Sequence, residues 1–238
     1  MKNSVIHRAN TRGHANHGWL DSHHTFSFAQ YYNPERMHFG VLRVLNDDKV
    51  EGGKGFGTHP HDNMEIISIP LKGDLEHKDS MGNVHVISEG DVQVMSAGTG
   101  ITHSEYNKNL SDEVNFLQIW IYPNKKNAVP RYEQQSFKKE RRKNKLQQVI
   151  SPNGGEEGVL IQQDAWFHLG NYENGENLVY QLKKEGNGIY LFVLEGSIQI
   201  DEISLEKRDG IGIWETNALT IKVEPNTEFL LMEVPMNN

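Results

Sequence analysis

Two short motifs in the first half of the chain carry the residue types that bind transition metals. His59-Pro60-His61 and His103-Ser104-Glu105 each place two potential ligands at positions i and i+2. On an extended strand these positions point to the same face, so each motif would present both of its ligands together. Three imidazoles and one carboxylate that converge on one point form a binding site for a divalent transition metal. The sequence therefore predicts a metal centre formed by His59, His61, His103 and Glu105.

Glu65 is a rival for the position of carboxylate ligand. It has the same parity as His59 and His61, so it would also face inward if that strand continued without a break. A carboxylate here could instead accept a hydrogen bond from a ligating imidazole and orient the ring. The spacing alone leaves open whether Glu65 or Glu105 is the fourth ligand.

The distribution of histidine is uneven along the chain. Of the 12 histidines, all but His168 lie at or before His103. Histidine binds metals and moves protons near neutral pH, so this distribution places the chemistry in the N-terminal half. Several others are expected to be surface residues, among them His7, His14, His77 and His85.

The elements that would position these side chains are short strands separated by turns. The predicted strands are rich in β-branched and aromatic residues and are bounded by Gly, Asn, Asp or Pro. They cover residues 64–69, 84–87, 92–95, 116–122, 178–182, 189–194, 197–200, 210–214, 219–223 and 228–234. Many short strands at regular spacing predict an all-β sandwich or barrel. The Gly-rich segment 96–100 is expected to supply the tight turn that brings the second motif back across the barrel.

The two halves of the chain share a local pattern. Residues 70–75 resemble residues 193–198, and residues 89–92 match residues 208–211 at a similar offset. This similarity indicates an internal duplication of one barrel. The positions that correspond to the first histidine pair carry Leu182 and Lys184, so the C-terminal barrel is predicted to lack a metal site.

Composition narrows the functional classes. The chain has 238 residues, a net charge of −8 and no cysteine. The acidic balance argues against direct binding of nucleic acid, and the absence of cysteine excludes disulfides and thiolate metal sites. No apolar run approaches the roughly 20 residues needed to span a bilayer, and the first eight residues lack the apolar core of a signal peptide. We therefore expect a cytoplasmic protein that does not contact membranes.

A basic stretch connects the halves. It covers residues 124–145 and contains the run Lys-Lys-Glu-Arg-Arg-Lys at 138–143. Such a run could bind nucleic acid or phosphate. Because it includes Glu140, has no interleaved aromatic residue and lies in an acidic protein, we interpret it as a solvated connection.

Longer segments around the two motifs resemble a known family. The matching segments are residues 14–21, 57–61, 95–105, 118–121 and 130–134. The chain resembles the pirins, a bicupin family, and within it the bacterial pirin-like proteins described as quercetinases. The resemblance implies two jelly-roll β-barrels in tandem: an N-terminal metal-binding barrel over residues 1–134, a basic linker over 135–148 and a C-terminal barrel over 149–238. Pirins take the fourth ligand from the second motif, which implies His59, His61, His103 and Glu105 as ligands and a supporting role for Glu65.

The same resemblance implies an activity. It implies a metal-dependent dioxygenase that cleaves a flavonol such as quercetin across its C2–C3 bond and releases carbon monoxide, with Glu105 accepting the proton of the 3-hydroxyl. The ligand set suits Ni, Co, Mn, Cu or Zn as well as the favoured Fe(II). Phe26, Phe28 and Phe39 could line the mouth of the barrel, or be ordinary core residues.

Two alternatives stay open. Eukaryotic pirins are described as redox-responsive transcription cofactors, so the chain could be a metal-dependent regulatory protein with a protein partner and no physiological turnover. Alternatively, flavonol cleavage could be incidental and the substrate another enol or diol.

Overall fold

The computed structural model describes residues 3–154 and 156–237, and strands dominate this part of the chain. The strands of the first half and its connection are β1 Asn3–His7, β2 Gly13–Asn16, β3 Leu20–His24, β4 Leu42–Val50, β5 Gly55–His61, β6 Glu65–Lys72, β7 Leu75–Asp79, β8 Val84–Ile87, β9 Asp91–Ser96, β10 Ile101–Asn107, β11 Val114–Ile121 and β12 Arg131–Ser136. The strands of the second half are β13 Lys145–Ser151, β14 Val159–Leu160, β15 Trp166–Tyr172, β16 Glu176–Gln181, β17 Asn187–Glu195, β18 Ser197–Ile200, β19 Ile203–Glu206, β20 Gly210–Trp214, β21 Ala218–Val223 and β22 Thr227–Pro235. Short 3₁₀ turns occur at Ala9–Thr11 and Lys139–Arg142, and no helix of the described residues is long and apolar enough to cross a membrane. The prediction of an all-β fold is confirmed.

Each half consists of a seven-stranded sheet packed against a four-stranded sheet. The N-terminal sheets have the orders β12-β9-β6-β11-β4-β3-β2 and β5-β10-β7-β8. The C-terminal sheets have the orders β1-β20-β17-β22-β15-β13-β14 and β16-β21-β18-β19. The two orders correspond strand for strand, with β5 and β10 matching β16 and β21. Each half is therefore a jelly-roll of two open sheets and not a closed barrel.

The first strand crosses from one half to the other. Residues Asn3 to His7 pair antiparallel with β20 and so form the edge of the C-terminal sheet. The position of β1 corresponds to that of β12 in the N-terminal sheet. The predicted boundary at residue 134 assigns β1 to the N-terminal domain, whereas its backbone hydrogen bonds are made with the C-terminal one. The domain bounds stay a prediction, and their outer limits, residues 1 and 238, lie outside the described residues.

The basic stretch between the halves is partly structured. Residues Arg131 to Ser136 pair with β9 as an edge strand. In the following turn Arg142 is buried and donates a hydrogen bond to the carbonyl of Phe137 at 2.7 Å. Lys143 forms an ion pair with Glu173 at 2.7 Å. These contacts show that part of the connection packs against the domains and is not wholly solvated.

An apolar core joins the two halves. It contains Phe26 and Phe39 from the first half and Phe167 and Tyr190 from the second. Each of these side chains is at most 4% exposed, and burial of an aromatic side chain of this size stabilises a fold by roughly 1.5–3 kcal/mol. Phe26 and Phe39 are therefore core residues between the domains and do not line the mouth of the first domain.

Candidate metal centre

The two histidine motifs lie on adjacent antiparallel strands. In the pairing of β5 with β10, His103 is opposite His59 and Ile101 is opposite His61. Along β10 burial alternates, so His103 and Glu105 are both buried while Thr102 is exposed. The register shifts beyond this point, so that Glu105 is opposite Phe56 and β5 carries one extra residue, a bulge beside the site. Bulges of this kind are common next to active sites because they redirect side chains.

A glycine turn feeds the second motif, as the sequence predicts. Gly98 and Gly100 have φ angles of +50° and +133°, which residues other than glycine rarely adopt. A Cβ atom on Gly98 would lie 2.0 Å from the carbonyl oxygen of Ala128. Glycine at position 98 is thus required by both backbone conformation and space.

Three imidazole rings converge as the spacing predicts. The ring centroids of His59, His61 and His103 are 4.5 to 4.9 Å apart. The Nδ1 atom of His59 lies 2.7 Å from the carbonyl of Gly57, which fixes that ring and leaves its Nε2 atom for a ligand. The Nε2 atoms of His61 and His103 are buried and have no hydrogen-bond partner among residues 3–154 and 156–237. Buried polar atoms without partners in a cluster of neutral imidazoles fit the donor set of a divalent transition metal.

Burial keeps two of these imidazoles neutral. Desolvation, with the neighbouring histidines as the next cause, lowers the pKa of His61 to about 4. The same causes lower the pKa of His103 to about 3. A neutral imidazole has the lone pair that a metal needs, so both rings are ready to bind a cation at neutral pH.

Glu105 lies next to the histidine cluster, on the side of His103. Its carboxylate lies within 4.8 Å of ligand atoms of His103 and His77. Ser68 Oγ donates a hydrogen bond to one carboxylate oxygen at 2.8 Å, and Gln118 Nε2 donates one to the other at 2.6 Å. The carboxylate is 2% exposed, so its orientation is set by these two donors.

Glu65 faces away from the histidines. The strand that would have carried its side chain inward is broken after His61, and Asn63 in the gap has a φ angle of +45°. Glu65 accepts hydrogen bonds from Ser96 Oγ at 2.8 Å and from the backbone N–H of Gln162 at 3.1 Å. Burial raises the pKa of its carboxyl group to about 7. Because β6 alternates, Glu65 is on the opposite face from Ser68, the residue that contacts Glu105.

His77 was expected at the surface but is fully buried next to His103. The Nδ1 atoms of the two rings are 3.5 Å apart, and His77 Nε2 lies 3.2 Å from Asp79 Oδ2. Asp79 also accepts hydrogen bonds from Asn83, which help to lower the pKa of its carboxyl group. Since an ionised carboxylate can only accept, His77 donates through Nε2 and accepts the proton of His103 Nδ1. This arrangement directs the lone pair of His103 Nε2 towards the other two imidazoles.

Other histidines occupy varied environments. His7 is also buried, contrary to expectation, and its Nδ1 atom lies 2.8 Å from the hydroxyl of Tyr190. His14 and His85 are exposed, as expected. His14 forms a separate group with Asp21 and His23 on the surface of the first domain.

A small cavity of about 120 Å³ lies beside the cluster. His59 and Glu105 line it on one side, together with Trp120 and Phe28. The ring of Trp120 meets that of His61 edge-on at 5.0 Å. Of the three aromatic residues considered from the sequence, Phe28 alone lines this cavity. Four polar residues of β3 and β4 that the sequence did not indicate also line it: Ser22, His24, Asn46 and Asp48.

Comparison with known proteins places this geometry in a family. Residues 5–121 match the family model described as Pirin, and residues 148–234 match the model described as quercetinase C-terminal cupin domain. A quercetin 2,3-dioxygenase of Escherichia coli (strain K12) is 44% identical over 230 residues, which cover 97% of this chain and 98% of that protein. A pirin-like protein of Caulobacter vibrioides is 38% identical, with 93% of this chain and 95% of that protein covered. The crystal structure of the bacterial pirin YhhW from Escherichia coli in complex with nickel(II) superimposes with a TM-score of 0.92 at 42% identity and covers 98% of this chain and 99% of that one.

The fold and the histidine cluster define a bicupin with a candidate site for a divalent metal in its first domain, so the predicted bicupin fold is confirmed. The chain belongs to the pirin family.

Proposed function

We propose that this protein is a metal-dependent dioxygenase that cleaves a flavonol such as quercetin and releases carbon monoxide. The observation that carries the proposal is the convergence of three imidazoles beside a cavity that His59 lines. The buried Nε2 atoms of the other two have no hydrogen-bond partner among the described residues. The names of the relatives support the substrate class. One of the similar structures contains nickel(II), whereas the chemistry of the ligands alone favours no single ion, and Fe(II) stays a prediction.

The residues of the site would have two roles, binding the metal ion and accepting a proton from the substrate. His59, His61, His103 and Glu105 would hold the ion, which when bound supplies Lewis-acid activation and a positive charge for an anionic substrate oxygen. Glu105 would accept the proton of the substrate hydroxyl at a carboxylate oxygen held by Ser68 or Gln118.

The size of the cavity limits how a flavonol would bind. A cavity near 150 Å³ holds a benzene-sized molecule, so a cavity of about 120 Å³ accommodates no more than a single ring. The other rings of a flavonol would lie at the mouth, near Phe56 and His17, which also line the cavity.

The experiment is turnover of quercetin in air by protein loaded with Ni(II), Co(II), Mn(II) or Fe(II), with oxygen uptake and carbon monoxide measured together. We expect equal amounts of oxygen consumed and carbon monoxide released, and loss of both in His61→Ala. His85→Ala is the matched control, because His85 is exposed on β8. Full metal loading without turnover by any of the ions would contradict the proposal and favour the alternative of a metal-dependent regulatory protein.

A further inference from the structure

Three polar atoms on the wall of the cavity beside the histidine cluster have no hydrogen-bond partner within the described residues. They are His24 Nδ1, Asn46 Oδ1 and Trp120 Nε1. His24 is 3% exposed and Asn46 is 1% exposed. Most buried polar groups in proteins are paired, so three unpaired atoms around one small cavity indicate a ligand that pairs with them.

The hydrogen-bond role of His24 follows from its neighbours. Ser22 Oγ donates a short hydrogen bond to the carboxylate of Asp48, and it lies 2.8 Å from His24 Nε2. Burial raises the pKa of Asp48 to about 7, so above this pH its carboxyl group is mostly ionised and can only accept. The Ser22 hydroxyl then donates its one proton to Asp48 and must accept from the imidazole, which places the proton of His24 on Nε2. Burial, with neighbouring histidines as further causes, lowers the pKa of His24 to about 4, which keeps the ring neutral. Its Nδ1 atom is therefore a hydrogen-bond acceptor.

The polar atoms of the cavity wall thus define which hydrogen bonds a ligand must make. His24 Nδ1 and Asn46 Oδ1 accept hydrogen bonds, whereas Trp120 Nε1 donates one. Phe28 lies between the two rings, edge-on to His24 at 5.2 Å and to Trp120 at 5.4 Å. These aromatic walls favour a planar ring, and the two acceptors require that the ring carry hydroxyl groups.

We propose that His24, Asn46 and Trp120 form a substrate-binding subsite, distinct from the metal ligands, that recognises a hydroxylated aromatic ring. The substrate class is then a planar polyphenol with at least one hydroxyl beyond the oxygens that bind the ion. This inference rests on the proposed function for the orientation of the substrate. It assigns His24 to the recognition of a second hydroxyl, beyond the oxygens that bind the ion.

The test is binding in oxygen-free buffer, which separates recognition from turnover. Protein loaded with Ni(II) is titrated with quercetin, which carries two hydroxyls on its phenyl ring, and with galangin, which carries none there. A hydroxyl that pairs with an otherwise unsatisfied buried acceptor is expected to tighten binding about tenfold. We therefore expect the dissociation constant of galangin to be about ten times that of quercetin in the wild-type protein, and this quotient is the affinity ratio.

Variants of the subsite residues test whether the subsite causes the difference in affinity between quercetin and galangin. His24→Phe removes the acceptor and keeps an aromatic ring against Phe28, so the ratio should fall to about 2 or less while galangin binds as before. Trp120→Phe removes the N–H donor together with part of the aromatic ring. The lost ring area should weaken binding of both ligands, and the lost donor should weaken binding of quercetin more than that of galangin. His23→Phe is the matched control, because His23 is the next residue of β3 and faces the opposite side; it should keep the full ratio. The nickel content of each variant is measured alongside, since Trp120 contacts His61.

The outcomes separate this inference from the proposed function. A wild-type ratio near 1, or a full ratio in both His24→Phe and Trp120→Phe, would overturn the subsite even if quercetin is cleaved in air. A ratio that depends on His24 without any cleavage in air would support the subsite and contradict the dioxygenase. If His24→Phe does not fold, Asn46→Leu and Trp120→Phe decide the result, and failure of both ligands to bind would overturn both proposals.

Discussion

At the scale of single residues, His103 is oriented by a chain of hydrogen bonds that begins at Asp79. The carboxylate fixes the proton of His77, and His77 in turn accepts the proton of His103 Nδ1. Partners that orient a ligating imidazole in this way usually change metal affinity 10- to 100-fold when they are lost. His77 is therefore expected to act on the metal without contacting it.

Replacing His77 by Phe should weaken metal binding by about 10- to 100-fold, because His103 loses the acceptor that sets its tautomer. The measurement is competition for Ni(II) with a chromogenic chelator. His85→Phe is the control, since His85 is opposite His77 in the pairing of β7 with β8 but is exposed. Equal dissociation constants for the two variants would show that His77 does not orient the site.

Substitutions of Glu105 and Glu65 should have clearly different effects on metal binding. Glu105→Gln is expected to lower metal affinity strongly, since it removes the proposed anionic ligand. Glu65→Gln should leave the metal content unchanged, because Glu65 faces the C-terminal half. Both variants are analysed for bound metal after purification with the same ion. Loss of metal in Glu65→Gln together with full loading of Glu105→Gln would reverse the assignment.

The common face of His59 and His61, and that of His103 and Glu105, was predictable from spacing, because i and i+2 positions on a strand share a face. The contributions of His77 and His24 were not recognised. His77-Lys78-Asp79 has the same spacing as the motifs that were identified, but the importance of the pair depends on the pairing of β7 with β10, which brings His77 opposite Glu105. Pairing between distant strands cannot be read from local spacing.

At the scale of elements, the predicted strands were those with alternating or continuous apolar residues. Several strands with polar sequences were missed, and so was the largely apolar β15. β4 contains the polar run Asn46-Asp47-Asp48, which is unfavourable in a strand. Tertiary contacts stabilise it: Asp47 accepts a hydrogen bond from Arg208 at 2.7 Å, and Asp48 accepts one from Ser22. Glu65 shares the parity of His59 and His61 but faces away from them, because the break after His61 separates two strands of different sheets.

The turn before β10 gives a prediction at this scale. Gly98→Ala should destabilise the protein by roughly 2 kcal/mol or more, because a Cβ atom at this φ angle would collide with the carbonyl of Ala128. Urea unfolding measures the effect. Gly57→Ala on β5 is the matched control, since its Cβ would meet no atom closer than 3.8 Å. Equal loss of stability in both variants would contradict a special role for the turn.

At the scale of the whole molecule, the repeat in the sequence agrees with two halves of the same strand order, although the exchange of β1 was not foreseen. Nothing in the local sequence of residues 3–7 indicates that their partner is β20, some 200 residues away. In the C-terminal half the strands that correspond to β5 and β10 contribute Tyr180 and Ile221 to an apolar cluster. The halves thus share an architecture while their interiors differ.

His168 in the C-terminal half links the stability of the molecule to pH. Burial lowers its pKa to about 3, so the folded protein keeps this ring neutral at pH values where the unfolded chain, with a pKa near 6.5, binds a proton. Acidification from pH 7 to pH 5 should therefore favour unfolding through this group by about 2 kcal/mol. In urea unfolding at both pH values, His168→Leu should lose about that much less stability than the wild-type protein. Equal losses would contradict the assignment, and between pH 7 and pH 8 the two proteins should behave in parallel.

The most direct test of the central claim is the metal content of the protein after incubation with a divalent transition metal and removal of the excess ion. We expect about one ion per chain in the wild-type protein and almost none in His103→Ala, with His85→Ala unchanged. A wild-type protein that retains no ion, or a His103→Ala variant that retains a full equivalent, would contradict the existence of a metal centre at these residues.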